Sequence, residues 1–258
     1  MQRPLSQLSF FDCNCILGKR ADRQEGEPYS LEELLRDMEY FCIDEALVVH
    51  ALSKDYDPAI GNNTLCQLIA GHDNLYPVWA ILPPSTAELP TPEQFIAQAI
   101  ERGVKAFTAF PKLHNFSLAE WNIGDLLAQM ELARIPLLVP FSETTWSEIE
   151  SVCAKHPDLP IVIQTVNYRQ LRFLLPLWEK HRQLYVDLSW FSICSILPFL
   201  AKRNLIDRLL FGTNYPSRTP GAAVTMVTYS EASEEQKQRI AGGNLRQIFK
   251  QNEGKRMS

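Results

Sequence analysis

The sequence predicts an α/β chain closed into a (β/α)8 TIM barrel, and three observations carry that prediction. Short apolar, β-branched and aromatic runs alternate with longer stretches of helical periodicity along the whole chain, the pattern of parallel α/β folds. Eight such runs recur at about 30 residues per strand-helix unit, which suits a closed ring better than an open sheet. The runs also read as buried on both faces, whereas an open sheet would need edge strands with clear alternation.

The predicted strands are Leu8 to Ile16, Ala46 to His50, Tyr76 to Leu82, Val104 to Ala109, Pro136 to Val139, Pro160 to Gln164, Leu184 to Leu188 and Arg208 to Phe211. Between them, Ser30 and Glu33 have the spacing of a capping box ahead of Leu34, Leu35 and Met38. Thr91 opens a second helix as its cap, with Pro92 at the first position, where a missing N–H costs nothing. Further helices are expected at Ile60 to Ala70, Ala119 to Ala133, Thr144 to Lys155, Tyr168 to Lys180, Ser192 to Arg203 and Ser233 to Lys250. The longest segments without helical pattern follow the strands: Gly18 to Tyr29, Ala51 to Pro58, Pro83 to Pro90, Pro111 to Leu118 and Thr213 to Ala232. In a barrel these line the C-terminal mouth, where active sites are built.

Composition bounds the rest. The 258 residues are 46% hydrophobic and carry 25 basic against 30 acidic side chains, a soluble globular balance with no surplus of cations for phosphate backbones. No linker, repeat or charge block divides the chain, so residues 1–258 are read as one domain. Met1 to Leu8 has no apolar core of signal-peptide length, and no apolar stretch reaches the ~20 residues of a membrane span. A cytoplasmic protein without nucleic-acid or membrane partners is expected. The six Cys have no C-x-x-C pair and no disulfide-scaffold spacing. Cys13 and Cys15, two apart on a strand, are expected to share one face, as buried apolar side chains or as ligands of a soft metal.

Three motifs extend the pattern. Phe11-Asp12-Cys13-Asn14-Cys15-Ile16-Leu17-Gly18 resembles the first strand of the amidohydrolase superfamily, in the branch that writes it Asp-x-His-x-His-x-Gly. Leu210 to Pro216, reading Leu-Phe-Gly-Thr-Asn-Tyr-Pro, resembles that branch's last strand, Phe-Gly-Ser-Asp-Tyr-Pro. Gly243-Asn244-Leu245-Arg246-Gln247-Ile248-Phe249 resembles its closing helix, and Leu47 to His50 and Gly61 to Asn63 match the second strand and its helix start in kind. The resemblance spans nearly the whole chain.

The resemblance implies a divalent metal, commonly zinc, held by the first-strand His pair, a His after the fifth strand, a His after the sixth and the Asp after the eighth. The metal would activate water for attack on a C–N or ester carbonyl, or assist decarboxylation. This sequence departs from the pattern at every matched position. Asn14 and Ile16 replace the His pair, Pro140 falls at the fifth strand, Gln164 or Thr165 at the sixth, and Asn214 replaces the Asp. The fourth strand, often ending in Lys-x-His, reads Thr108-Ala109-Phe110. Amide oxygens are poor zinc ligands, Ile16 and Pro140 offer none, and Asn214 has no carboxylate to act as base. No metal cofactor is therefore predicted, against a family norm of zinc or another divalent ion.

In its place, Asn14, Gln164 and Asn214 are expected to form an amide-rich cup for a small polar molecule, or to bond one another and close the old site. Arg218 is a candidate clamp for a carboxylate, or a solvated loop residue. His50, Asp12 and Asp187 are the candidate catalytic groups, and His50 is also a candidate ligand contact at the pocket floor; each has a structural reading too, His50 satisfied by a carbonyl and the two Asp capping a helix or bracing a loop. Trp146, Trp190 and Phe191 lie just beyond strand ends, where they can line the pocket or pack against helices. Of the five His, His72, His156 and His181 are expected on the far face in solvated roles, while His50 and His114 lie at the mouth.

Three functions follow. The first is a barrel with a degenerate metal site that binds a small polar molecule, with weak, altered or no hydrolase activity: a pseudoenzyme candidate. The second is an active metal-dependent hydrolase or decarboxylase whose ligands are rebuilt from His50 and His114 with Asp12, Asp187, Glu143 or Cys15. The third is a non-catalytic scaffold. Homo-oligomerisation is expected from family habit alone.

Overall fold

A computed structural model describes residues 8–191 and 195–256. The predicted Ser192 helix start and Cys194 lie outside these residues. Eight parallel strands are ordered around the ring as they are in the chain: β1 Phe10–Leu17, β2 Ile43–His50, β3 Leu75–Ala80, β4 Ala106–Thr108, β5 Leu137–Pro140, β6 Ile161–Gln164, β7 Leu184–Asp187 and β8 Leu209–Leu210. The ring is closed where β8 continues alongside β1. Cys13 N donates to Phe211 O at 3.0 Å, Ile16 N to Tyr215 O at 2.8 Å, and Tyr215 N to Asn14 O at 3.2 Å. The fold is a (β/α)8 TIM barrel, as predicted.

The helices are α1 Leu31–Phe41, α2 Ala51–Asp55, α3 Pro58–Leu68, α4 Pro92–Glu101, α5 Glu120–Ala133, α6 Trp146–Lys155, α7 Leu171–Lys180, α8 Ile196–Ala201, α9 Pro220–Thr228, α10 Glu234–Gln238 and α11 Asn244–Arg256. The capping box of α1 is formed: Glu33 N donates to Ser30 Oγ at 3.2 Å and Ser30 N to Glu33 Oε2 at 2.9 Å. Pro92 opens α4 as expected, but the Thr91 hydroxyl makes no capping bond. The cap of α6 is Thr145, whose Oγ1 accepts from Glu148 N at 3.3 Å, rather than Thr144.

Two predicted loops contain helix. Ala51–Asp55 is the single turn α2, and Pro220–Thr228 is α9, started by its N-terminal proline. The predicted helix from Ser233 to Lys250 is divided into α10, a π-helical turn Arg239–Gly243 and α11. At that turn a Cβ on Gly242 would lie 2.7 Å from Ser9 O, so the chain approaches β1 too closely for any side chain there.

Two apolar layers hold the barrel. The larger lies between sheet and helices; the smaller fills the barrel interior with Phe11, Leu47, Val78, Leu138, Val162 and Leu210. Leu245, Ile248 and Phe249 of α11 join the interior layer and plug the bottom of the barrel, where the Phe11 and Phe249 ring centroids are 5.8 Å apart. Cys13 and Cys15 do not share a face. A register shift between Asp12 and Cys15 inserts an extra residue into β1, so Cys13 joins the interior cluster and Cys15 the outer one.

Candidate functional site

The mouth of the barrel opens into a cavity of about 410 Å³. Its polar wall includes Asn14, Gln164, Thr165 and Asn214, three of which are the amides expected there. Ile16 and Pro140 also line it, as do the apolar side chains of Leu47, Val49, Val78, Phe110 and Phe141. Trp190 lines the cavity, Phe191 is fully buried, and Trp146 packs behind Phe141 with ring centroids 4.5 Å apart.

Asn14 and Gln164 are tethered to other groups rather than bonded to one another. Asn14 Nδ2 donates to Asp187 Oδ2 at 2.8 Å, and Gln164 Nε2 crosses the interior to Cys13 O at 2.9 Å. Asn214 sits in the left-handed region at φ 58°, which Asn tolerates better than most residues. Its side chain faces the cavity from the turn that precedes the cis Tyr215–Pro216 bond.

Asp12 and Asp187 lie behind the cavity wall, both fully buried, and neither lines the cavity. Asp12 Oδ1 accepts from Asn14 N at 2.9 Å and Thr213 N at 3.0 Å, and Oδ2 from Thr213 Oγ1 at 2.5 Å and Cys15 Sγ at 3.0 Å. It thus buckles β1 to the end of β8. Asp187 accepts from Thr165 N, Ser189 Oγ and Asn14 Nδ2, each at 2.8 Å. Burial raises both carboxyls above their usual range despite these donors, Asp187 to about 6. Burial also drives the Cys13 and Cys15 thiols well upward, so neither is a ready thiolate.

His50 ends β2 and caps α2, its Nδ1 accepting from Leu52 N at 3.2 Å. Burial lowers its pKa and favours the neutral ring that this bond requires. A Cβ on Gly18 would lie 2.9 Å from His50 Nε2, so the motif glycine makes room for this imidazole as well as adopting φ 96°. His114 Nε2 pairs with Lys54 O at 2.8 Å. Arg218 Nη1 donates to Ser189 O at 2.9 Å and its guanidinium lies 4.8 Å from the Trp190 ring centroid. Neither His50, His114 nor Arg218 is among the cavity-lining residues. Unlike the solvated role expected of it, His156 is buried at 5% exposure between Glu120 Oε2 at 3.1 Å and Glu131 Oε2 at 3.3 Å.

Two cavity cations escaped the sequence reading. Arg20, in the segment after β1, has a side chain only 8% exposed; it bonds Ser217 Oγ and Glu27 Oε1, while its buried Nε makes no hydrogen bond and has the Asp22 carboxylate 3.6 Å away. Lys54 belongs to α2, the turn expected to be loop, and its Nζ is 3.7 Å from Asp55 Oδ1. Asp22, Glu27 and Asp55 offset much of the two charges, so these groups offer the cavity N–H donors more than a strong field. A local signal existed for each: a basic residue just beyond a strand end on the mouth face.

A family model described as amidohydrolase matches residues 48–251, most of the chain. The chain belongs to the amidohydrolase family. Among solved structures, an uncharacterized TIM-barrel protein from Bordetella bronchiseptica superposes with a TM-score of 0.73 at 17% identity, covering 95% of this chain and 99% of that one. A 5-carboxyvanillate decarboxylase from Novosphingobium aromaticivorans, with bound manganese, gives 0.75 at 14% identity over 95% of this chain and 97% of its own. A dihydroxybenzoic acid decarboxylase from Polaromonas, with bound manganese and an inhibitor, gives 0.74 at 12% identity over 95% and 98%. These identities speak for the fold alone. No curated protein matches the chain in sequence.

Among the described residues no three His, Cys, Asp or Glu side chains form a group that could hold a metal ion. At the positions that the motif resemblance aligns with the amidohydrolase ligands, the cavity presents two amides each held by one N–H bond, the untethered Asn214 amide, an alkyl group and a proline ring. Manganese and zinc sites are built from carboxylate, imidazole and thiolate, so this set does not fit a resident divalent metal. No described helix is long and apolar enough to cross a membrane.

Proposed function

We propose that this amidohydrolase-family barrel is a pseudoenzyme or altered enzyme that binds a small polar molecule at its mouth without a resident metal. The observation that carries the reading is the cavity wall itself: Asn14, Ile16, Pro140, Gln164 and Asn214 line it at the matched ligand positions. Asn14, Gln164 and Asn214 are the proposed ligand-binding residues, joined by Arg20 and Lys54. Asp187 is a positioning residue for Asn14, Arg218 for Trp190, and His50 for the start of α2. The near balance of 25 basic and 30 acidic residues supports a small-molecule partner rather than nucleic acid or membrane, in a cytoplasmic setting. Homo-oligomerisation is retained from family habit.

The manganese of two structural neighbours favours a second reading, a metal-dependent decarboxylase or hydrolase with ligands recruited from elsewhere. Elemental analysis of protein purified without chelator separates the two. Substoichiometric manganese, zinc and iron are expected; one equivalent of any of them overturns the first reading. A thermal-shift screen of small carboxylates and amines then separates a binding pocket from a scaffold, which would show no ligand-induced shift.

A further inference from the structure

The amides at the cavity floor cannot present either end at will. Gln164 Nε2 is tied to Cys13 O at 2.9 Å, and a peptide carbonyl only accepts. Asn14 Nδ2 is tied at 2.8 Å to Asp187, an acceptor when ionised, whose two oxygens also receive Thr165 N and Ser189 Oγ. One N–H of each NH2 is bonded, which fixes the orientation of both amides and leaves Asn14 Oδ1 and Gln164 Oε1 without a donor. No described side chain or backbone N–H donates to either oxygen, and both residues line the cavity. Two buried carboxyls, Asp12 and Asp187, stand directly behind this floor. Its polarity is that of an acceptor surface with negative charge at its back.

Toward the mouth the wall carries two cations and one carboxylate, Glu143, whose Oε2 accepts from Leu113 N at 3.0 Å. Arg20 and Lys54 lie on the segments that follow β1 and β2, and both line the cavity. The Arg20 side chain is more than nine-tenths buried; its Nε–H makes no hydrogen bond, the Asp22 carboxylate standing off at 3.6 Å, so it can still donate to a ligand oxygen there. The wall also has an apolar part, with Leu47, Val78, Phe110 and Trp190, around a volume suited to one ring-sized molecule.

We infer that the cavity selects a small zwitterion, with an ammonium or amine group on the Asn14 and Gln164 oxygens and a carboxylate on Arg20 and Lys54, joined by an apolar spacer. This rests on the reading of the cavity as a small-molecule site and adds to it the ligand's two ends and their direction. The ligand's own nitrogen then stands against the side chains at the matched metal-ligand positions. Thr165 and Ser189 belong to the selectivity as well, because their bonds to Asp187 keep that carboxylate an acceptor and hold the Asn14 amide in one orientation.

Calorimetric titration of the full chain with three probes tests the assignment: 4-(aminomethyl)benzoate, its isostere 4-ethylbenzoate, and benzylamine. The first is expected to bind at least about tenfold more tightly than either of the others, the size of one well-made buried hydrogen bond to a charged group. Equal or tighter binding of 4-ethylbenzoate overturns the zwitterion while leaving the small-molecule site standing; binding of none of the three overturns both. In Gln164→Met the ratio of the first two affinities should fall toward one with 4-ethylbenzoate unchanged. Should that variant fail to fold, Asn214→Asp supplies the second arm. An added carboxylate on the untethered cavity residue should raise the ratio, and an unchanged or lowered ratio counts against the assignment.

Discussion

At the scale of single residues, the site is governed by which polar groups are already spoken for. Asp187 is the clearest case. Burial outweighs three donors and raises its carboxyl to about 6, above the ordinary value near ~3.9. Between those values the folded chain keeps a proton that the unfolded chain has released. The contribution of this residue to stability is therefore greatest below about pH 4, falls as pH rises toward 6, and is constant above, by roughly 3 kcal/mol in all. Urea denaturation from pH 4 to 7 should show this decline in the wild type relative to Asp187→Asn, whose amide does not titrate. A difference between the two that stays flat across the window refutes it. Asn214→Asp bears on the other end of the site. It restores the family's carboxylate but not the imidazoles, so assays of metal-supplemented protein should detect no hydrolysis or decarboxylation, because Ile16 and Pro140 still withhold ligands. Turnover dependent on added manganese in that variant would show an intact ligand set.

Elements were legible in the sequence wherever their signals were local. The Ser30–Glu33 box, Pro92 at the start of α4 and the eight apolar runs each state their structure within a few residues, and the barrel follows from their count. What escaped was decided by contacts between elements. The single turn α2 is capped by His50 and held on α3, with which it meets at Gly61: a Cβ there would lie 2.1 Å from Ser53 N and 2.3 Å from Ser53 Oγ. Because the obstruction is backbone, Gly61→Ala should cost about 3 kcal/mol or more, at the upper end of overpacking effects, measured by chemical denaturation. It should also disturb Lys54, and with it the cavity. A loss below about 1 kcal/mol would mean that the two helices part easily. The β1 bulge was equally hidden. Nothing in Phe10 to Leu17 marks the extra residue, yet it sends Cys13 inward and Cys15 outward and turns the Cys13 carbonyl toward Gln164.

For the whole molecule, closure joins the two ends of the chain. The backbone bonds between β1 and the segment after β8 are reinforced by Asp12, while α11 plugs the bottom of the barrel beneath the functional mouth. Ile248, 2% exposed, packs there with Phe11 and Phe249, and Ile248→Ala is expected to cost about 2–5 kcal/mol in equilibrium unfolding. The mouth should be spared, so binding of 4-(aminomethyl)benzoate by the residual folded protein should be unchanged. A selective loss of binding with stability intact would show that plug and mouth are coupled.

The sequence by itself determined the barrel and the family. Strand-helix alternation is a local periodicity, and the family's motifs are short runs visible in one dimension. Only the tertiary structure decided what the substitutes do. Whether Asn14 and Gln164 close the old site or line an open one depends on partners 173 and 151 residues away in the chain, Asp187 and Cys13. The same holds for Arg20 and Lys54, ordinary basic residues in the sequence that acquire meaning from the cavity they share. An amide's usable end is set by whatever occupies its other end, and that is a property of the fold.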